Sequence, residues 1–188
     1  MRVTTKVKDA ILVFKLDKTT NAKISTGKEK ILQVYSFSDM QFNYIAESMK
    51  QGTKIEPRKF FDLADAVCFD CPFRGYLKCY THKYMQFSGF VSMLKSIVRE
   101  FTTLAYVPAV HLLEKRIVEI SQGRYIRFGT YGEPTLLPVN LVGDMVKVSK
   151  SHTGYSHQWA KKPEFSAYFM ASTHSEGQAK QAEKLGFR

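Results

Sequence analysis

Apolar residues first come as dense runs and then as spaced stripes. The run AILVFKL at 10–16 is β-branched and aromatic and predicts a strand. The polar stretch Thr19–Lys28, with Asn, Ser and Gly, predicts a loop, and ILQVYSF at 31–37 a second strand. Together they predict a hairpin with an exposed connection. The period then changes. Phe42, Ile45, Ala46 and Met49 recur at steps of three and four, which predicts a helix over 38–49. Ser38-Asp39 is its N-cap and Gln51-Gly52 its stop.

Residues 88–103 carry Phe90, Met93, Leu94, Ile97, Val98 and Phe101 on one helical face. Pro108 predicts the start of another helix, with Val110, Leu113, Ile117 and Ile120 inward and an end near Gly123. A strand is expected at Tyr125–Phe128, running into Gly129-Thr-Tyr-Gly-Glu-Pro134. A helix over Val139–Ser149 presents Leu141, Val142, Met145, Val146 and Val148. Residues 152–159 predict a loop, and FSAYFM at 165–170 a strand. Ser175 caps a final helix over Glu176–Leu185, stopped by Gly186.

This alternation predicts an α/β fold: parallel β/α units forming a partial barrel or small open sheet, preceded by a β-hairpin and helix. In such folds the loops after the strand C-terminal ends carry the site, here Tyr131, Glu133, Ser172 and His174. A length of 188 residues predicts a single domain, 1–188, with a hairpin/helix region over 1–64 and a cysteine-cluster and β/α region over 65–188. There is no internal repeat, low-complexity tract or linker. The last residues, Phe187-Arg188, fall where a further strand is due. The expectation is a naturally short chain or an edge completed by a partner.

Composition narrows the class. No run of about 18 apolar residues occurs, so no transmembrane helix is expected. Charges interrupt the first 18 residues too often for a signal peptide, which predicts a cytoplasmic protein. Three cysteines, an odd number, predict reduced thiols rather than a disulfide framework. The net charge of +11 predicts attraction to polyanions: nucleic acid, or an acidic protein. The 14 Phe and 10 Tyr offer stacking surfaces for bases, although core packing is their usual employment.

All three cysteines lie in CFDCPFRGYLKC, as Cys68, Cys71 and Cys79, and His82 follows. Two thiolates separated by two residues can reach one ion, and C-x2-C-x7-C-x2-H completes a set of ligands for tetrahedral zinc. Three thiolates could instead hold a four-iron cluster with one iron open. Packed thiols without metal are the third reading. Glu133 projects a carboxylate at a strand tip, to take an amine or act as a base; a tight turn with a solvated Glu is the alternative. His152, Tyr155, His157 and Trp159 suit base stacking, proton transfer or a second metal, or else form a packed aromatic loop.

The ordered motifs Cys68-x2-Cys71-Pro72…Cys79-Tyr80, Arg127-Phe-Gly-Thr-Tyr-Gly-Glu-Pro134, His152-Thr-Gly-Tyr-Ser-His-Gln-Trp159, Ala171-Ser172 and Gly186-Phe187-Arg188 resemble a family of uncharacterised phage and mobile-element proteins over about 65–188. His82 is not part of that pattern. The cysteine triplet followed by a Gly-Glu-Pro turn is also distantly similar to radical S-adenosylmethionine enzymes, with Tyr131 in place of the first Gly and a different cysteine spacing. That resemblance implies a four-iron cluster on the cysteines and S-adenosylmethionine near Arg127, Tyr131, Gly132 and Glu133. Two functions follow. In one, a phage-type enzyme, a cysteine-ligated centre faces Glu133, His152, Tyr155 and His157; Glu133 anchors a cofactor or substrate amine and a loop His moves protons. In the other, zinc on the three cysteines and His82 steadies a basic binding module for nucleic acid or an acidic host protein, in the host cytoplasm.

Overall fold

A computed structural model describes residues 1–18, 29–73, 79 and 86–188. The expected loop at 19–28 and His82 lie outside the described residues.

The fold is mixed α/β, built on a five-stranded sheet in the order β1-β2-β3-β4-β5. Strands β1 (Arg2–Val7), β2 (Ala10–Lys18) and β3 (Lys30–Ser38) form an antiparallel meander. β4 (Tyr125–Tyr131) then joins β3 in parallel, and β5 (Ser151–Thr153) joins β4 in parallel. The sheet is open, not a closed barrel. The expected hairpin is β2–β3. β1 was not expected; RVTTKV mixes charges into its alternation and pairs on one side only, as an edge strand does.

Both sheet faces are covered, which explains why β2 and β3 read as continuous apolar runs. Ile11, Val13, Tyr35 and Phe37 face one cluster. There they meet α1 (Asp39–Gln51), α2 (Pro57–Asp62), α3 (Asp65–Cys68) and α4 (Phe87–Phe101). Leu12, Phe14, Leu32 and Val34 face the other cluster, against α5 (Glu114–Ser121) and α6 (Val139–Val148). Among the described residues no helix is long and apolar enough to cross a membrane.

Ser38 closes β3 and caps α1 in one residue. Its hydroxyl accepts from the Gln41 N–H, and the Gln41 side chain accepts from the Ser38 N–H, both at 3.0 Å. α1 ends at Gly52 in the left-handed region, φ 66°.

Two expected elements differ. The helix expected from Pro108 is a 3₁₀ turn at Val110–Leu112 followed by α5. The Pro108 carbonyl is taken by β1 instead, accepting from the Lys6 N–H at 2.9 Å and the Thr5 hydroxyl at 2.8 Å. The strand expected at 165–170 is a 3₁₀ turn at Pro163–Phe165 and only a short strand, β7 (Met170–Ala171). Phe165 and Phe169, four apart, both enter the α5/α6 cluster, and the Phe169 N–H bonds the Phe165 carbonyl at 3.0 Å. Four-residue spacing is helical, and Pro163 starts the turn. The loop expected at 152–159 contains β5 and β6 (Tyr155–Ser156), and β6 pairs with β7 in parallel. The final helix, α7 (Glu176–Lys184), is capped by Ser175 as expected.

Candidate functional site

The site is built around the turn that follows β4. Along β3 the register advances from Gln33 to Tyr35 while β4 advances from Arg127 to Tyr131, so β4 bulges against its neighbour. Gly129, φ 62°, lies within that bulge. As a result Phe128 joins the α5/α6 cluster while Tyr131 turns to the α1/α4 side.

Tyr131 is buried among Phe37, Phe61 and Phe90, with ring centroids 4.7–6.2 Å away. The Gln41 side-chain amide donates to its hydroxyl at 2.9 Å and to the Phe60 carbonyl at 3.0 Å. Burial raises the Tyr131 pKa well above its ordinary value, and the charges of Cys68 and Cys79 push the same way. Tyr131→Phe leaves the amide its Phe60 bond, so a loss of about 1 kcal/mol is expected in chemical denaturation.

Gly132 continues the turn at φ 77° and passes directly over Ser36 of β3. The Glu133 N–H then donates to the Val67 carbonyl at 2.7 Å, which docks α3 beneath the turn. Just after α3, the Cys71 N–H bonds the Cys68 carbonyl at 3.0 Å. That tight turn sets the first two cysteines of the cluster beside the β4 terminus. All three cysteines are half-buried.

Glu133 is buried, 4% exposed, rather than solvated as in the plain turn reading. Its carboxylate accepts from the His157 N–H at 3.1 Å, from the Thr135 hydroxyl at 3.2 Å and from the Ser156 side chain. These donors favour the charged form, but burial outweighs them and raises the pKa. Glu133 therefore ties the β4 turn to β6.

His157 emerges from this tie. Its Nε2 is 3.0 Å from the Ser172 hydroxyl oxygen, just after β7. Its ring stacks on His174 at 5.7 Å, and Phe73 stands edge-on to both imidazoles. Burial lowers the His157 pKa, His174 lowers it further, and Asp70 opposes them. The ring is neutral at pH 7, so His157 and Ser172 share a hydrogen bond in which either can donate. Asp70, between Cys68 and Cys71, accepts from the Lys161 ammonium at 2.5 Å and from the Gln158 amide. Lys161 first, then Gln158, hold its carboxyl down at about 2.

The expected site residues thus divide. Tyr131, Gly132, Glu133 and His157 come together with Cys68 and Cys71, and the charge of Cys79 reaches the Tyr131 hydroxyl. His152 lies on β5, where its Nε2 meets the Tyr168 carbonyl at 2.9 Å and its ring lies against Phe128. Tyr155 is 58% exposed on β6, and Arg127 sits in β4 opposite Gln33 and Thr153. Sequence reasoning passed over Asp70, Phe73, Thr135 and Ser156. Asp70 and Phe73 are embedded in the cysteine motif, but only the packing of residues after β6 and β7 against it reveals their partners, Gln158 and Lys161 for Asp70 and His157 and His174 for Phe73. Among the described residues, no three His, Cys, Asp or Glu side chains gather closely enough to hold an ion. No protein family, curated protein or solved structure matches this chain.

Proposed function

We propose that this is a phage-type, enzyme-like protein in which Cys68, Cys71 and Cys79 hold a thiophilic centre, a four-iron cluster or zinc, beside the Glu133–His157–Ser172 network. One observation carries the reading: the Glu133 N–H docks on the Val67 carbonyl at 2.7 Å, and the Cys71 N–H bonds the Cys68 carbonyl at 3.0 Å, so the Cys-x2-Cys turn lies against the end of a parallel strand. The donor set suits a soft metal, and the Cys68–Cys71 turn supplies the first pair of ligands. Ligands that close only around the ion are common in thiolate sites, because binding free energy supplies the ordering.

In this reading Glu133 is a positioning residue. Its carboxylate is committed to Ser156, His157 and Thr135, and its N–H to Val67, so it holds His157 in place rather than anchoring the amine of S-adenosylmethionine. His157 exchanges a proton with the Ser172 hydroxyl, and Phe73 stands edge-on to the pair of imidazoles. The bound centre supplies Lewis-acid or electron-transfer chemistry.

Metal analysis after anaerobic purification and reconstitution tests this. Iron with absorbance near roughly 400 nm is expected for a cluster, and its loss in Cys68→Ser/Cys71→Ser. About one equivalent of colourless zinc, lost in the same variant, moves the reading to a zinc-stabilised binding module. Protein that takes up neither metal overturns the proposal.

A further inference from the structure

On the far side of α4 from the sheet lies a groove of about 530 Å³ between that helix and the segment joining α1 to α2. Its apolar surface comes from Ile55, Phe87 and Val91, and its cations are Lys54, Lys95 and Arg99. No carboxylate lines it. Among the described residues none of these three cations has an ion pair, and the single carboxylate of α4, Glu100, is turned to Arg2 of β1. Uncompensated cations around an apolar hollow repel one another, and an anion relieves that repulsion.

The spacing on α4 adds a direction. Ser88, Ser92, Lys95 and Arg99 recur at four, three and four residues, so they form one stripe along the helix. Hydroxyls lie at the helix start and cations toward its end. Phe87 and Val91 lie beside that stripe, facing Ile55.

We propose that this groove binds a nucleotide phosphate. Lys54, Lys95 and Arg99 take the phosphoryl oxygens, the hydroxyls of Ser88 and Ser92 donate to phosphate or sugar, and a base lies on the apolar surface. The volume falls in the range of small-ligand sites. An acidic peptide matches the cations but supplies no flat apolar group for Phe87 and Val91. The site is separate from the cysteine cluster and does not depend on a metal there.

Fluorescence anisotropy with the full chain tests it, using a labelled single-stranded oligonucleotide of about 20 nucleotides and a labelled adenosine monophosphate across a salt series. Lys54→Ala/Lys95→Ala/Arg99→Ala is expected to weaken binding at least about tenfold and to flatten the oligonucleotide's salt slope by about two. The comparison is Lys115→Ala/Lys147→Ala/Lys184→Ala, which removes the same charge from exposed positions elsewhere. It is expected to weaken binding less than about threefold, as for general charge attraction. Much tighter binding of the oligonucleotide identifies a strand as the source of the phosphate; equal binding identifies a free nucleotide. Equal losses in the two variants overturn the proposal. So does failure of both probes to bind at low salt, or displacement by polyglutamate as effective as by unlabelled oligonucleotide. Circular dichroism of each variant confirms that it is folded.

Discussion

Gly132→Ala is expected to destabilise the protein by about 2–5 kcal/mol, the sum of left-handed strain and overpacking. For a chain of this size that lowers the thermal midpoint by roughly 5–15 °C. The backbone at Gly132 has φ 77°, where an L side chain is strained. A Cβ there would also lie 2.8 Å from the Ser36 Cβ and 2.9 Å from the Ser36 carbonyl oxygen. Ser36 is buried in β3, and the turn is fixed through Glu133 to Val67, so neither side can withdraw cheaply. Gly123 separates the two costs. Its φ is 64°, but nothing lies within 4 Å of a Cβ there, so Gly123→Ala should cost only the backbone strain, about 1–2 kcal/mol. Thermal denaturation of both variants decides the matter. Equal losses would show that the β4 turn does not press on β3 as described.

Glu133→Ala is expected to cost about 2–4 kcal/mol, because the half-buried His157 N–H and the buried Ser156 and Thr135 hydroxyls lose their shared acceptor. Glu133→Gln keeps an acceptor for the His157 N–H, and the two hydroxyls can rotate to accept from the new amide. The pH dependence distinguishes the two roles of the carboxylate. Burial raises its pKa in the folded state above the ordinary 4.5. Between the two values the folded state binds the extra proton, so stability from this group is greatest below pH 4.5 and is lost as pH rises through the folded value. Relative to wild type, Glu133→Gln is therefore most stable near pH 7, and the advantage shrinks on acidification. Urea denaturation at pH 7 and below pH 4.5 measures the difference. An advantage that grows on acidification would mean that Glu133 is stabilised as an anion, held by partners stronger than the three neutral donors.

These two residues also show where sequence reading stops. The Gly-Glu-Pro turn was legible because glycine and proline punctuate a strand end. That Glu133 serves as a strut was not, since its donors Ser156 and His157, at the end of β6 and just after it, lie more than twenty residues away. The cysteine cluster was legible as a motif, while the placing of the Cys68–Cys71 turn beside the β4 terminus depends on how α3 docks under β4. His152 and His157 looked equivalent in one loop. Gly154, which has the Phe128 and Phe169 side chains packed against it, lies between the strands that send one imidazole toward Tyr168 and the other toward Ser172.

By itself the sequence determined the elements with a dense apolar run, β2 and β3, with a clear apolar helical stripe, α4 and α6, or with a side-chain N-cap, α1 and α7. Local propensity and burial favour the same conformation there, so tertiary context had nothing to override. Tertiary structure alone decided the elements in which a long-range bond outweighed local preference. The Pro108 carbonyl went to β1 instead of opening a helix, and Phe165 and Phe169 turned together into one cluster instead of alternating along a strand. The same holds for the site. Residue types and spacing nominate chemical groups, but only packing between distant segments sets which of them touch, because burial and pairing depend on neighbours that the local chain does not contain.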